Sequence, residues 1–186
     1  MCGFVGYVGK EIPTVNFHKM INSIHHRGPN SDGFWKDVAN KVHFAHKRLS
    51  IMDITQNGSQ PMTSTSGRYT IIYNGEIYNH LILRDKLDAS QNLKKKWKGY
   101  SDTETILEYL DIYGFETTLK KIEGMFSMVI YDKKNNNILL TRDRIGEKPL
   151  YYAKYSNYFI FGSELKALKH HTHFKKIINH SSIDSL

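Results

Sequence analysis

The chain opens Met1-Cys2-Gly3-Phe4-Val5-Gly6-Tyr7-Val8-Gly9, and the reading of the whole sequence turns on this stretch. Weak alternation around Phe4-Val5 and Tyr7-Val8 predicts a strand over residues 2–8. Cys2 is the single cysteine of 186 residues, directly behind the initiator Met. Removal of Met1 would put its thiol on the first residue, beside a free α-amine. Such an amine titrates at about pH 8, far below a lysine. Part of it is therefore neutral at pH 7 and able to take the thiol proton, which joins nucleophile and base in one residue. The plain alternative is a buried, inert cysteine on an N-terminal strand, and the rest of the chain has to decide between the two.

Composition bounds the answer. With 40% hydrophobic residues, a chain of this length is expected to form one domain over residues 1–186 with a real core. A lone cysteine forms no internal disulfide, which points to a reducing compartment. The N-terminus lacks a basic region followed by an apolar core and is interrupted by Gly3, Gly6 and Gly9. No apolar run approaches the roughly 18 residues of a membrane span. The expectation is a soluble cytoplasmic protein without a membrane partner. The three glycines do not form a dinucleotide fingerprint.

The formal charge of +8 raises nucleic acid as a partner. Its densest part is Lys94-Lys95-Lys96 with Lys98; elsewhere the charge is dispersed, and no helix-turn-helix, zinc-finger or RNP pattern goes with it. A solvated loop is the better reading, and no nucleic acid is expected. His170-His171-Thr172-His173 raises metal, but it lacks a cysteine partner or a spaced second cluster. It reads as a surface tail, and no metal site is expected.

Along the chain, Pro13 can open a helix at its first position, with Phe17, Met20, Ile21 and Ile24 at helical spacing. Arg27-Gly28-Pro29-Asn30-Ser31-Asp32-Gly33 reads as a loop. Strands are expected at Val42–Arg48 and Arg68–Tyr73, the second followed by Asn74-Gly75. Asn79 could cap a short helix through Leu87. Ser101-Asp102-Thr103-Glu104 has capping-box form, opening a helix whose face carries Ile106, Leu107, Leu110 and Tyr113. Met125–Asp132 is apolar on both faces, as in a strand covered on both sides, and Lys133–Asn137 turns the chain into Ile138–Arg142. Tyr151–Tyr155 and Tyr158–Phe161 form a hairpin around Ser156-Asn157, and Ser163–Leu168 begins a last helix. Hairpin-like links dominate, so the pattern gives an α+β fold with mostly antiparallel sheets.

Nine segments then carry a resemblance. They are Met1-Cys2-Gly3, His26-Arg27-Gly28-Pro29-Asn30, His46-Lys47-Arg48-Leu49-Ser50-Ile51-Met52-Asp53, Gln60-Pro61-Met62, and Asn74-Gly75-Glu76-Ile77-Tyr78-Asn79. They continue with Ser101-Asp102-Thr103-Glu104, Gly124-Met125-Phe126, Arg142-Asp143-Arg144-Ile145-Gly146-Glu147-Lys148-Pro149-Leu150-Tyr151-Tyr152, and Ser163-Glu164-Leu165-Lys166-Ala167-Leu168. Each is weak alone; their order along residues 1–168 is specific. The chain resembles the class II glutamine amidotransferase domain of the N-terminal-nucleophile hydrolase superfamily, nearest to the N-terminal half of glutamine-hydrolysing asparagine synthetases. The resemblance implies a four-layer αββα sandwich of two mostly antiparallel sheets.

It also implies a site. Cys2 matches the nucleophile that attacks the side-chain amide of L-glutamine, forming a γ-glutamyl thioester and releasing ammonia. Asn74 and Gly75 match the oxyanion hole, although Asn-Gly after a strand is also a hairpin signal, and a turn could place both donors. Arg48 matches the residue that grips the α-carboxylate, a planar group that a guanidinium fork suits; in isolation it would be a surface Arg at a strand end. Asp102 matches the acid facing the α-ammonium, and it is equally an acid favoured in a first helical turn. Glu76 is implied in substrate binding, and Leu49, Ser50, Ile51 and Met52 in the same wall, chiefly through their backbones. The Arg27–Gly33 and Arg142–Tyr152 segments are signatures without a derivable chemistry.

The resemblance stops short of an ATP-dependent synthetase domain. No Ser-Gly-Gly-type pyrophosphate loop or Walker A motif is visible, so no cofactor is expected in this domain, with ATP and Mg confined to that missing part. The chain ends Ser181-Ser182-Ile183-Asp184-Ser185-Leu186, where an inter-domain connection would start; a truncated chain and a standalone subunit both fit. The expected partner is a synthetase domain in cis or trans that receives ammonia, with a homodimer of the full-length enzyme possible. The alternatives are the glutaminase half of another class II amidotransferase, such as one amidating sugars for surface polysaccharide, and a non-catalytic interaction domain if Met1 is retained.

Overall fold

The first strand, β1 (Gly3–Gly9), becomes the centre of a five-stranded antiparallel sheet. The computed structural model describes residues 1–90 and 96–176. On one side β1 pairs with β3 (Val42–Arg48), with Phe4 opposite His46; on the other it pairs with β9 (Tyr158–Gly162). β2 (Ser31–Asp37) and β8 (Tyr151–Lys154) form the edges, giving the order β2-β3-β1-β9-β8. A second antiparallel sheet has the order β4-β5-β6-β7, built from β4 (Met62–Thr63), β5 (Tyr69–Ile77), β6 (Gly124–Asp132) and β7 (Asn137–Arg142).

Alternation along the strands sorts the apolar residues into three cores, and these define four layers. Phe4, Val42, Phe44, Ile72, Val129, Tyr131 and Phe161 fill the space between the two sheets. The opposite face of β1, with Val5 and Tyr7, packs against α1 (Thr14–Asn22) and α4 (Leu165–Leu168). The opposite faces of β5 and β6, with Tyr69, Ile71, Met128 and Ile130, pack against α2 (His80–Ser90) and α3 (Asp102–Lys121). The fold is the expected αββα sandwich.

Several local expectations change. Pro13 is the N-cap of α1 rather than its first residue. Ser31, Asp32 and Gly33 are not loop: they begin β2, paired opposite Arg48, Lys47 and His46. Their turn-like composition is overridden by a neighbouring strand that supplies the backbone partners, and the alternating half-buried pattern of β2 fits an edge. β5 does not stop at Tyr73. Asn74 and Gly75 lie in its interior, opposite Ser127 and Phe126, so the hairpin reading is wrong. A Cβ on Gly75 would come 2.2 Å from the Met125 carbonyl oxygen and 2.6 Å from the Phe126 Cα. Glycine is there for close strand approach, not for a turn.

Ser101 caps α3 by accepting from the Glu104 N–H at 3.4 Å, but the Glu104 carboxylate turns to the Lys98 and Gly99 N–H groups instead of closing the box. The helix is broken at Gly114, whose φ of 74° lies outside the helical region. Asn79 does not cap α2 with its side chain. Its amide instead bridges the Lys121 carbonyl and the Glu123 N–H, tying the exit of β5 to the entry of β6.

The histidine tail is also corrected in part. His171 is buried, edge-on to Tyr7 and Tyr158, while His173 stacks on Tyr158 with ring centroids 4.1 Å apart. Among the described residues, no group of three or more His, Cys, Asp and Glu side chains is placed to hold a metal ion, and no helix is long and apolar enough to cross a membrane. Lys94, Lys95 and residues 181–186 lie outside the described residues.

Candidate active site

Cys2 enters from the end of β1 into a cavity at one end of the sandwich, between the two sheets. Its lining includes Met1, Cys2, Arg48, Leu49, Ile51, Met52, Asn74, Gly75, Glu76 and Asp102. Residues scattered over a hundred positions thus meet at one place. Ser50 is the exception: its N–H is taken by the Asn30 side chain at 2.9 Å, and it stands beside the lining rather than in it.

The Cys2 sulfur sits against the backbone of Leu49, accepting from its N–H at 3.3 Å and facing its carbonyl at 3.6 Å. Burial pushes the thiol pKa up. The Leu49 hydrogen bond, the chain's positive N-terminus and Arg48 pull it back, and Asp102 adds to the rise. The balance keeps sulfur protonated at neutral pH, so a nucleophilic Cys2 needs a base at hand.

Asn74 and Gly75 reach the cavity from β5, on the other sheet. The Asn74 amide nitrogen is buried and has no hydrogen-bond partner among the described residues. Leaving a buried donor unmet costs roughly 1–3 kcal/mol, so this orphan, in the same cavity as a thiol, marks a place where a ligand oxygen belongs.

Arg48 is buried at the end of β3. Its guanidinium donates to the Thr55 carbonyl at 2.7 Å, to the Asp53 carbonyl and to Ser59 Oγ at 3.3 Å. A guanidinium has five N–H donors, so these contacts hold the group in place and leave capacity for a carboxylate in the cavity. Asp102, in the first turn of α3, is buried and accepts through Oδ2 from Tyr73 Oη at 2.6 Å and from the Ile77 N–H at 2.9 Å. Glu76 stands exposed at the rim. The cavity therefore sets a cation and an anion around a thiol and an empty amide donor. That arrangement is fit to hold an amino acid by both charged ends while a side-chain carbonyl is attacked.

The model of the glutamine amidotransferase domain matches residues 1–186. This chain belongs to that family. The domain is 35% identical to "Asparagine synthetase [glutamine-hydrolyzing] 3" of Bacillus subtilis, over all of this chain and 30% of the relative. It is 39% identical to "Asparagine synthetase [glutamine-hydrolyzing] 1" of the same organism, over 90% of this chain and 26% of the relative. With "Putative asparagine synthetase [glutamine-hydrolyzing] 2" of Methanocaldococcus jannaschii it shares 38%, over 90% of this chain and 35% of the relative. The chain thus spans about a third or less of the length of these relatives. Among solved structures, the glutamine phosphoribosylpyrophosphate amidotransferase of B. subtilis shares the fold, with a TM-score of 0.75 at 18% identity, over 90% of this chain and 43% of that one.

The amidotransferase domain also contains contributors that motif reading left without a role. Gln60 accepts the Tyr73 N–H at 2.6 Å through Oε1, fixing β5 just before Asn74. Asp143 organises the Arg142–Tyr152 signature by accepting from Phe126, Glu147 and Lys148 N–H groups. The segment so held delivers Lys148 into the cavity, where its buried Nζ lies 3.2 Å from Met1 Sδ and 3.5 Å from Glu147 Oε1. The other signature loop is scaffold: Glu164 gathers His26, Arg27 and Lys166, and Asn30 holds the backbone of residues 48–50.

Proposed function

We propose that this domain hydrolyses L-glutamine to glutamate and ammonia through a γ-glutamyl thioester on Cys2, once Met1 has been removed. The observation that carries the reading is the unpartnered Asn74 amide in the same cavity as Cys2 and Gly75. Arg48 receives the α-carboxylate and Asp102 the α-ammonium, which directs the side-chain amide at the sulfur. The Cys2 α-amine takes the thiol proton. Sulfur bonds to the amide carbon, and the carbonyl oxygen becomes an oxyanion met by Asn74 Nδ2 and the Gly75 N–H. The carbon–nitrogen bond then breaks, and the leaving nitrogen takes the proton from the amine and departs as ammonia. Water, losing a proton to the same amine, attacks the thioester; the carbon–sulfur bond breaks, glutamate leaves and the thiol is restored.

The ammonia serves a synthetase-type domain, in cis or trans, that makes asparagine; the names of the relatives support this acceptor. Any ATP-dependent step belongs to that domain. A cytoplasmic location completes the reading, supported by the unpaired Cys2.

Intact mass with and without 6-diazo-5-oxo-L-norleucine tests it. The expected result is a chain lacking Met1 that gains one adduct, located on Cys2, with glutamate released from glutamine before labelling and not after. A chain that gains no adduct and makes no glutamate refutes the proposal.

A further inference from the structure

Tyr73 is the residue immediately before Asn74, and it faces the opposite side of β5, toward α3. Three bonds from three parts of the chain meet on it. Gln60 Oε1 accepts its N–H at 2.6 Å, His46 Nε2 donates to its carbonyl at 3.1 Å, and its own Oη donates to Asp102 Oδ2 at 2.6 Å. Burial, with the Asp102 charge and hydrogen bond adding to it, pushes the Tyr73 phenol well above its ordinary value. It therefore stays protonated and is a permanent donor.

The consequence lies in how Asp102 is aimed. Both hydrogen bonds to its carboxylate, from Tyr73 Oη and the Ile77 N–H, fall on Oδ2. Oδ1 carries no hydrogen bond from the described residues, and Asp102 lines the cavity. A carboxylate gripped by two donors on one oxygen cannot rotate about its χ2 without breaking both, so the second oxygen keeps a fixed direction. With the phenol gone, one N–H remains, and the free oxygen is no longer pinned.

We propose that Tyr73 is a positioning residue for substrate binding: its phenol orients Asp102 so that Oδ1 meets the α-ammonium of glutamine, setting affinity and leaving the chemical step alone. This rests on the reading of the cavity as a glutamine site. It assigns a role to the residue before the oxyanion donor, and it makes β5 serve the two ends of one substrate from its two faces.

The test is a double-mutant cycle on the chain without Met1, with steady-state glutamine hydrolysis for wild type, Tyr73→Phe, Asp102→Asn and the pair. A hydrogen bond to a charged group is worth about tenfold in affinity. Tyr73→Phe should therefore raise KM about tenfold with kcat within about twofold. On the Asp102→Asn background the same change should alter kcat/KM by less than about twofold. A loss confined to kcat, an unchanged KM, or an equal effect on both backgrounds overturns the inference. If Tyr73→Phe does not fold, Tyr73→Leu, which keeps an apolar body and lacks the hydroxyl, must show the same pattern. A wild-type chain that does not hydrolyse glutamine sinks the glutamine reading itself; hydrolysis with a Tyr73 effect independent of Asp102 sinks this inference alone.

Discussion

Replacing His46 by Gln should flatten the acid side of the stability profile. His46 is buried on the inter-sheet face of β3, and its Nε2–H donates across the gap to the Tyr73 carbonyl of β5 at 3.1 Å. Burial holds its pKa down from 6.5 to about 4; the hydrogen bond to Tyr73 and the charge of Asp32 act the other way, while Arg48 adds to the depression. Between those two pH values the unfolded chain binds the proton and the folded chain does not. Stability from this group is therefore complete above pH 6.5 and is lost as pH falls toward 4. At about 1.4 kcal/mol per pH unit, the loss is roughly 3 kcal/mol by pH 4 and about 2 kcal/mol between pH 7 and pH 5. For a urea slope of about 2 kcal/mol/M, that is a midpoint shift of about 1 M.

Gln can place an amide donor near the same carbonyl but takes up no proton. Reversible urea unfolding of wild type and His46→Gln at pH 7 and pH 5 provides the assay. His43, His80 and His171 are also held below the ordinary histidine value, chiefly by burial, and they cancel in the difference between the two proteins. The pH-dependent loss should be smaller in His46→Gln by about 2 kcal/mol. An equal loss in both proteins would show that His46 does not carry the effect.

Two further outcomes follow from the site and its support. Asn74→Ala should lower kcat for glutamine by about 10²–10³ while leaving KM within a few-fold, the pattern of a donor used only once charge develops on oxygen; a change in KM alone would contradict the oxyanion role. Arg84 is buried, donates to Thr105 Oγ1 and to the Gly99 and Ser101 carbonyls, lies 3.6 Å from Glu104, and stacks over Trp97. Arg84→Ala should cost about 3–5 kcal/mol in urea unfolding, and a cost below about 1 kcal/mol would mean that this network contributes little to the fold.

What could be read from the sequence follows from which forces are local. Val42–Arg48 was legible because Val42 and Phe44 fall at a strand's two-residue spacing and share the inter-sheet face. Ser31–Gly33 was not, because its strand character comes from β3 and leaves no trace in its own turn-like composition. Asn74-Gly75 shows the same conflict more sharply: local preference favours a turn, and pairing with β6 decides for a strand. At the site, the linear motifs located Cys2, Arg48, Asn74, Gly75, Glu76 and Asp102, which the structure brings to one cavity. Gln60, Tyr73 and Lys148 gained roles only from convergence in space. A glutamine side chain that accepts a strand N–H, or a lysine turned into a cavity by an Asp143-centred loop, has no signature in spacing.

The cavity is assembled across two sheets rather than within one. Cys2 leads into β1 of the five-stranded sheet, while Asn74 and Gly75 belong to β5 of the four-stranded one. The separation between sulfur and the orphan amide is therefore measured out by what lies between the sheets: Phe4, Ile72, Val129 and Phe161. These hydrocarbon side chains act as a ruler for the chemistry. Sheets face each other about 10 Å apart, and a methylene added or removed in that filling resets the gauge at its open end, so the turnover rate of such a protein is written partly in the volumes of residues that never meet its substrate.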